Sequence, residues 1–322
     1  MSLYLDAPPP NCLCCQLPED LFLPENYGAS DEPDSATVDH QLDLSAAFER
    51  LKTTNLLDSL VDTHGHAHLA KSTGSDIYQC PKQEILSLTC AVHPDDWGAC
   101  IEYAAQSPKR MLALGVHPWY LGELPETWLE DLEEQLKVHP HALVGEIGLC
   151  KMARFVRQHP EGKQAALEIQ RSVFAQQLEL AARYRRPVSI HCVNQQSILL
   201  EQLQKTDPLP PAIALHSFSG SAHQVKQLVQ KIPNLFFGFS HAVNCAMSTS
   251  EKDQKQACAA IRAVPADQLL LESDLHHTDD VTGGTVLAAA FCAAAREEPL
   301  EQVVVQTQAN ARRFLRTIRR DL

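Results

Sequence analysis

"LDSLVDTHGH", residues 57–66, is the stretch on which the reading of the fold turns. It starts apolar and ends in two histidines separated by one residue. Alternation along a strand sends residues i and i+2 to one face, so His64 and His66 can both point off the end of a buried strand. His68 continues the spacing, and strand geometry alone leaves a three-histidine site open. Seven further apolar runs follow: "ILSLTCAV" (85–92), "RMLALGVHP" (110–118), "ALVGEIGL" (142–149), "RPVSIHCV" (186–193), "AIALHSFSG" (212–220), "NLFFGFSHAV" (234–243) and "QLLLESD" (268–274). They are nearly continuous, as strands buried on both faces of a parallel sheet are. Helical patterns fall between them, at roughly 96–106, 125–137, 163–185, 195–204, 222–231 and 252–263, with two more at 284–297 and 299–318. The link between the first two strands has no clear helix. Eight strands alternating with helices over about 260 residues predict an α/β fold, a (β/α)8 TIM-type barrel. A doubly wound open sheet competes with it, but no glycine-rich phosphate loop follows the first strand.

The polar residues of these strands share a position. His64 and His66 end the first strand, Glu146 lies in the fourth, His191 ends the fifth, His216 the sixth and Asp274 the eighth. Barrel active sites are assembled from such C-terminal strand ends. Any one histidine taken alone reads equally as a hydrogen-bonded structural residue. Glu146 is harder to explain that way, because an unpaired carboxylate in an apolar strand is costly. Four imidazoles and two carboxylates exceed one open catalytic zinc site, which takes three protein ligands. They match two divalent ions roughly 3.5–4 Å apart that share a bridging carboxylate and a water. Zinc, manganese or iron suit imidazole, and the carboxylates also admit magnesium. The residues by themselves therefore point to metal-assisted hydrolysis.

Composition narrows the partners. Apolar residues make up 44% and charged residues 21%, as in an ordinary globular protein, and the net charge is −13. Residues 1–57 hold ten acids against Arg50 and Lys52, more than half of that excess. Proteins that grip long nucleic acid by bulk electrostatics carry a basic face, so this chain has to meet phosphate with local charge. No stretch of interleaved aromatic and basic residues stands out. No apolar run of about 18 residues predicts a membrane span, and no secretory signal is read at the start. The 11 scattered cysteines fit reduced thiols, hence a cytoplasmic or nuclear location. Residues 1–56 are expected to be a largely disordered acidic extension and 57–322 the barrel. Within the extension, Cys12, Cys14 and Cys15 read as exposed thiols rather than a lipid or metal site.

The motifs "DTHGH", "GVHP", "GEIGLC", "PVSIHC", "HSFSG" and "ESD", with a late "QANARRFL", stand in the order and at the intervals of the TatD family of metal-dependent hydrolases. The chain resembles that family, in the amidohydrolase-like superfamily of barrels, over residues 60 to about 316. Stretches such as "ALHSFSGSAHQVKQL" look most like a fungal subgroup that interacts with a subunit of the anaphase-promoting complex. The resemblance implies two divalent ions (Mg2+, Zn2+ or Mn2+). His64, His66 and Asp274 would hold one and His191 and His216 the other, with Glu146 bridging. It also implies Asp274 as general base and His117 beside the site, against the phosphate or leaving oxygen. The D-x-H-x-H pattern beginning at Asp62 assigns His64 and His66 and leaves His68 as a supporting or loop residue. Two departures concern the substrate. Cys150 replaces the family's aspartate, and "ESDLHH" replaces an "ETDAP" ending, so that His276 and His277 crowd the last strand end, where loop surface is favoured over extra ligands or substrate contacts.

The expected function is a two-metal phosphodiesterase or deoxyribonuclease acting on DNA ends or short oligonucleotides. A hydrolase of small amides, esters or lactones is the next reading. A scaffold that binds a cell-cycle regulatory complex is the third.

Overall fold

The computed structural model describes residues 42–69, 74–247, 250–316 and 318. Cys12, Cys14 and Cys15 lie outside the described residues. Eight parallel strands form one sheet in chain order: β1 (Val61–Gly65), β2 (Leu86–Cys90), β3 (Arg110–Leu114), β4 (Leu143–Cys150), β5 (Val188–Val193), β6 (Ile213–Leu215), β7 (Leu235–Ser240) and β8 (Leu269–Glu272). The helices are α1 (Leu44–Thr53), α2 (Pro94–Ala105), α3 (Trp128–Val138), α4 (Arg154–Gln158), α5 (Lys163–Arg183), α6 (Gln196–Lys205), α7 (Ala222–Lys231), α8 (Glu251–Ala263), α9 (Val281–Arg296) and α10 (Leu300–Leu315). This is the (β/α)8 barrel, nearly closed. Only short 3-10 turns, Ala67–Leu69 and Asp76–Tyr78, separate β1 from β2 in the described chain.

Hydrogen bonds close the barrel where a regular ladder does not. Thr63 Oγ1 donates to Leu271 O (2.9 Å), Ser273 N to Asp62 Oδ1 (2.8 Å) and Ser273 Oγ to Asp62 Oδ2 (2.6 Å). Beyond them, Asp274 N donates to His64 O (3.0 Å) and His66 N to Leu275 O (2.8 Å). Val61, Leu88, Met111, Leu143, Phe236 and Leu270 fill the lower interior, and Phe314 and Leu315 of α10 pack beneath them. The strand-end histidines and carboxylates therefore stand above an apolar floor.

Residues 44–53, expected within a disordered extension, form α1. Asp43 caps it by accepting from Ala46 N (3.0 Å). Ala47, Phe48 and Leu51 are buried, and Arg50 pairs with Glu301 of α10 (2.5 Å). The helix covers α9. A short apolar stripe inside an acidic segment is a weak signal without its docking face. No disulfide joins the described cysteines. Among the described residues, no helix is long and apolar enough to cross a membrane.

Candidate metal centre

The six strand-end residues meet on Glu146, and His117 joins them. His64 Nε2 and His66 Nε2 lie 3.3 and 3.1 Å from Glu146 Oε2. His117 Nε2, His191 Nδ1 and His216 Nε2 lie 3.1, 3.1 and 2.8 Å from Oε1. The two carboxylate oxygens thus face two different sets of imidazoles. Asp274 stands across from them, with Oδ1 at 3.9 and 3.7 Å from His64 and His66 Nε2 and Oδ2 at 3.6 Å from His216 Nδ1. All seven residues are buried.

Local irregularities produce this convergence. The register of β1 against β2 shifts between Asp62 and Gly65, and that of β4 against β5 shifts between Val144 and Ile147. Such bulges re-aim side chains, here those of His64 and Glu146. Gly148 is needed because a Cβ there would collide with the His191 carbonyl. Asp274 leaves β8 in the left-handed region (φ 53°), held there by its bond to the His64 carbonyl.

The atoms facing one another fit divalent cations. His117 Nε2, Glu146 Oε1 and Oε2, His216 Nδ1 and Asp274 Oδ1 are buried within ion-pair distance of their neighbours, yet none has a hydrogen bond of acceptable geometry. Buried polar atoms are otherwise almost always satisfied. Three groups bring ligand atoms within 4.8 Å of one another: His64, His66 and Glu146; His64, His216 and Asp274; and His117, Glu146 and His191. His117, expected beside the site, is therefore as close to Glu146 as His191 is.

The far nitrogens are held from behind, which sets ring orientation. His66 Nδ1 donates to the Cys90 carbonyl (2.7 Å), which leaves its Nε2 lone pair for the centre. His64 Nδ1 pairs with Ser189 Oγ (2.8 Å), and Ser217 Oγ donates to Asp274 Oδ2 (2.8 Å). Trp119 Nε1 donates to Cys150 Sγ (3.3 Å), and the Cys150 side chain bonds that of His191. Burial opposes charge throughout. It lowers His64 to about 4, and His117 is also lowered. Burial would raise Glu146, but His117, His216 and His64 hold it well below the usual carboxylate range. Against burial, His191 rises to about 9 through Cys150 and Glu146, and His216 rises through Glu146 and Asp274. A compact set of carboxylates that stays ionised among imidazoles has the chemistry to hold a cation.

His68 turns away. Its Nδ1 meets Thr89 Oγ1 (2.9 Å) and its Nε2 meets Asp96 Oδ2 (3.2 Å), so it braces the start of α2. His277 caps the Thr278–Asp280 turn by accepting from Asp279 N (3.2 Å). His276 departs from its expected place on the loop surface. It is half-buried with its ring 5.4 Å from that of His66, because the chain after Asp274 folds back over β1 through the His66–Leu275 bond. Asp62, Ser189 and Ser217 were not anticipated as supports. Asp62 stood in a motif, while the two serines carry no signal in a single sequence. A cavity of about 520 Å³ opens at the opposite end of the barrel, beside Asp58, Lys109 and Arg312, away from this centre.

The profile of the TatD related DNase family matches residues 61–316. The Cut9-interacting protein scn1 of Schizosaccharomyces pombe is 29% identical over 230 residues, which is 59% of this chain and 67% of that protein. The human 3'-5' RNA nuclease TATDN2 is 29% identical over 163 residues, half of this chain but only 19% of the human protein. Among solved structures, the TatD homologue YjjV of Escherichia coli superposes with a TM-score of 0.64 at 23% identity, covering 80% of this chain and 98% of that one. That superposition supports the barrel.

Proposed function

Since the chain belongs to the TatD related DNase family, we propose that it is a two-metal phosphodiesterase that acts on nucleic-acid ends or short oligonucleotides. Its class is that of a metal-dependent hydrolase acting on phosphoester bonds. One observation carries the finer reading: the two oxygens of Glu146 face separate imidazole sets, as a bridging carboxylate does. His64, His66 and Asp274 would hold one ion and His191 and His216 the other, with Glu146 between them. Bound divalent ions would make a water acidic and polarise a phosphoryl oxygen.

The chain's own groups do the rest. Asp274 Oδ1, buried and without a hydrogen bond, accepts the proton of the attacking water, while Ser217 on Oδ2 fixes the orientation of the carboxylate. His117 Nε2 faces the same space and contacts the phosphate or the leaving oxygen. The test is metal content of protein purified without added metal, together with nucleotide release from single-stranded DNA under Mg2+, Mn2+ or Zn2+. Two ions per chain, falling to one or none in Glu146→Ala with loss of release, is the expected result. Wild-type protein that releases nothing under all three metals would sink the reading.

The fission-yeast relative is named for its interaction with Cut9, which favours a second role for this chain, docking to a protein partner such as the cell-cycle regulatory complex expected from the sequence. Such docking would use outer surfaces and survive Asp274→Asn and His191→Ala. Loss of partner pull-down in those folded variants would count against it.

A further inference from the structure

Residues 151–163, "KMARFVRQHPEGK", carry Lys151, Arg154, Arg157 and Lys163 against the single acid Glu161, in a chain of net charge −13. The sequence was expected to hold no stretch of interleaved aromatic and basic residues. This one holds Phe155 and His159 among its cations, and packing shows why it matters. Ala153 and Val156 are buried with Trp119, Cys150 and Ala166 in a small apolar cluster. That anchoring leaves positions 151, 154 and 157 exposed. Arg154 and Arg157 share one side of α4, since residues three apart on a helix are neighbours. Phe155 is half-buried, lies against Gly122 in the connection after β3, and meets the His159 ring edge-on at 5.1 Å.

The segment starts at the rim of the candidate metal centre. Lys151 follows Cys150, whose side chain bonds that of His191, and Lys151 N donates to Val193 O at the end of β5 (3.1 Å). Many basic side chains elsewhere are engaged by carboxylates, among them Arg50 by Glu301, Lys109 by Asp58, Arg110 by Glu84, Lys205 by Glu201 and Arg313 by Asp267. Among the described residues, Lys151, Arg154, Arg157 and Lys163 have no ion-pair partner, and Arg154 Nε donates only to Gln158 Oε1 (2.7 Å). Cations without internal counter-charge raise the local potential on an otherwise acidic surface, and they do so where a strand must enter.

We propose that this rim segment binds the phosphodiester backbone of single-stranded nucleic acid and feeds its end to the metal centre; the inference rests on the phosphodiesterase reading above. A short run of cations beside half-buried aromatic rings suits a flexible single strand. A long duplex would meet repulsion from the acidic remainder.

The test is fluorescence anisotropy with a labelled oligothymidylate of about twelve nucleotides, in chelator, between about 50 and 200 mM salt. The variants are the triple Lys151→Glu, Arg154→Glu, Arg157→Glu and a control triple Lys137→Glu, Lys205→Glu, Lys231→Glu. The control lysines sit at helix C-termini, on the opposite face of the barrel. The rim triple should weaken binding about tenfold or more and reduce the salt slope by about 2, as expected for three phosphate contacts to a single strand. The control should change affinity by less than about twofold. Equal weakening by both triples, an unchanged slope, or no binding by the wild type overturns the proposal. If the reversed triple fails to fold, the corresponding triple to Gln carries the same slope measurement. Nucleotide release with Mn2+ separates this inference from the reading beneath it. Release with an unchanged KM in the rim triple refutes the rim alone, and rim-dependent binding without release refutes the phosphodiesterase.

Discussion

Asp62→Ala should loosen the candidate-site end of the barrel without removing a candidate ligand. The Asp62 carboxylate is buried and joins β1 to β8: Oδ1 accepts from His64 N (3.2 Å) and Ser273 N (2.8 Å), and Oδ2 accepts from Ser273 Oγ (2.6 Å). Alanine leaves two buried backbone N–H groups unpaired, at about 1–3 kcal/mol each, while the hydroxyl can turn. Part of that is offset, because burial disfavours the charge itself and lifts the Asp62 carboxyl to about 7. A net loss of about 2–5 kcal/mol is expected. Asp62→Asn separates geometry from charge. Its carbonyl oxygen can take the place of Oδ1 and keep both backbone bonds, while its amide faces Ser273 Oγ, so the loss should stay under about 1 kcal/mol. Urea unfolding in chelator gives the stabilities, and metal content after dialysis reports on the site. Metal retention should follow the same order, wild type, Asn, then Ala, because His64 lies on β1 and Asp274 directly follows β8, the two strands being joined. Equal losses for Asn and Ala would refute the acceptor argument, and so would an Ala variant within about 0.5 kcal/mol of wild type.

Two further outcomes follow from the same packing and charge. In the metal-free protein His191 is held protonated up to about 9 by Cys150 and Glu146 against the pull of burial, and a cation must displace that proton. Metal affinity should therefore rise with pH between about 7 and 9, by up to about tenfold per unit, and titration at several pH values that shows no rise would contradict the assignment of His191. Phe48 of α1 is 3% exposed, so Phe48→Ala should lower stability by about 3–5 kcal/mol, whereas Arg50→Ala at the surface should leave the unfolding midpoint unchanged. A neutral Phe48→Ala in thermal unfolding would make α1 an appendage of the barrel.

How far the protein could be read from its sequence depended on how local each signal is. The strands and most helices were legible because continuous apolar runs and amphipathic periods are properties of neighbouring residues. Glu146 was legible as well, since a carboxylate inside "LVGEIGL" has no cheap bland explanation. Basic charge at the rim is not legible because Lys151, Arg154 and Arg157 are spread three apart in an acidic chain, and their shared face exists only once Ala153 and Val156 are buried. The place of His276 is not legible for a similar reason: its approach to His66 depends on the backbone bond between Leu275 and His66 at the end of β1.

The sequence by itself determined the barrel, the order of its strands and the set of imidazoles and carboxylates at the strand ends. Each of these follows from residue type at a given position along the chain. Only the tertiary structure decided that Glu146 turns its two oxygens to different imidazoles, that His117 stands in the cluster while His68 braces α2, and that Asp62 locks β1 to β8. Asp62 and Ser273 lie 211 residues apart. Contacts at that separation depend on bulges and on barrel closure, which bring distant atoms within hydrogen-bonding reach after the chain has folded.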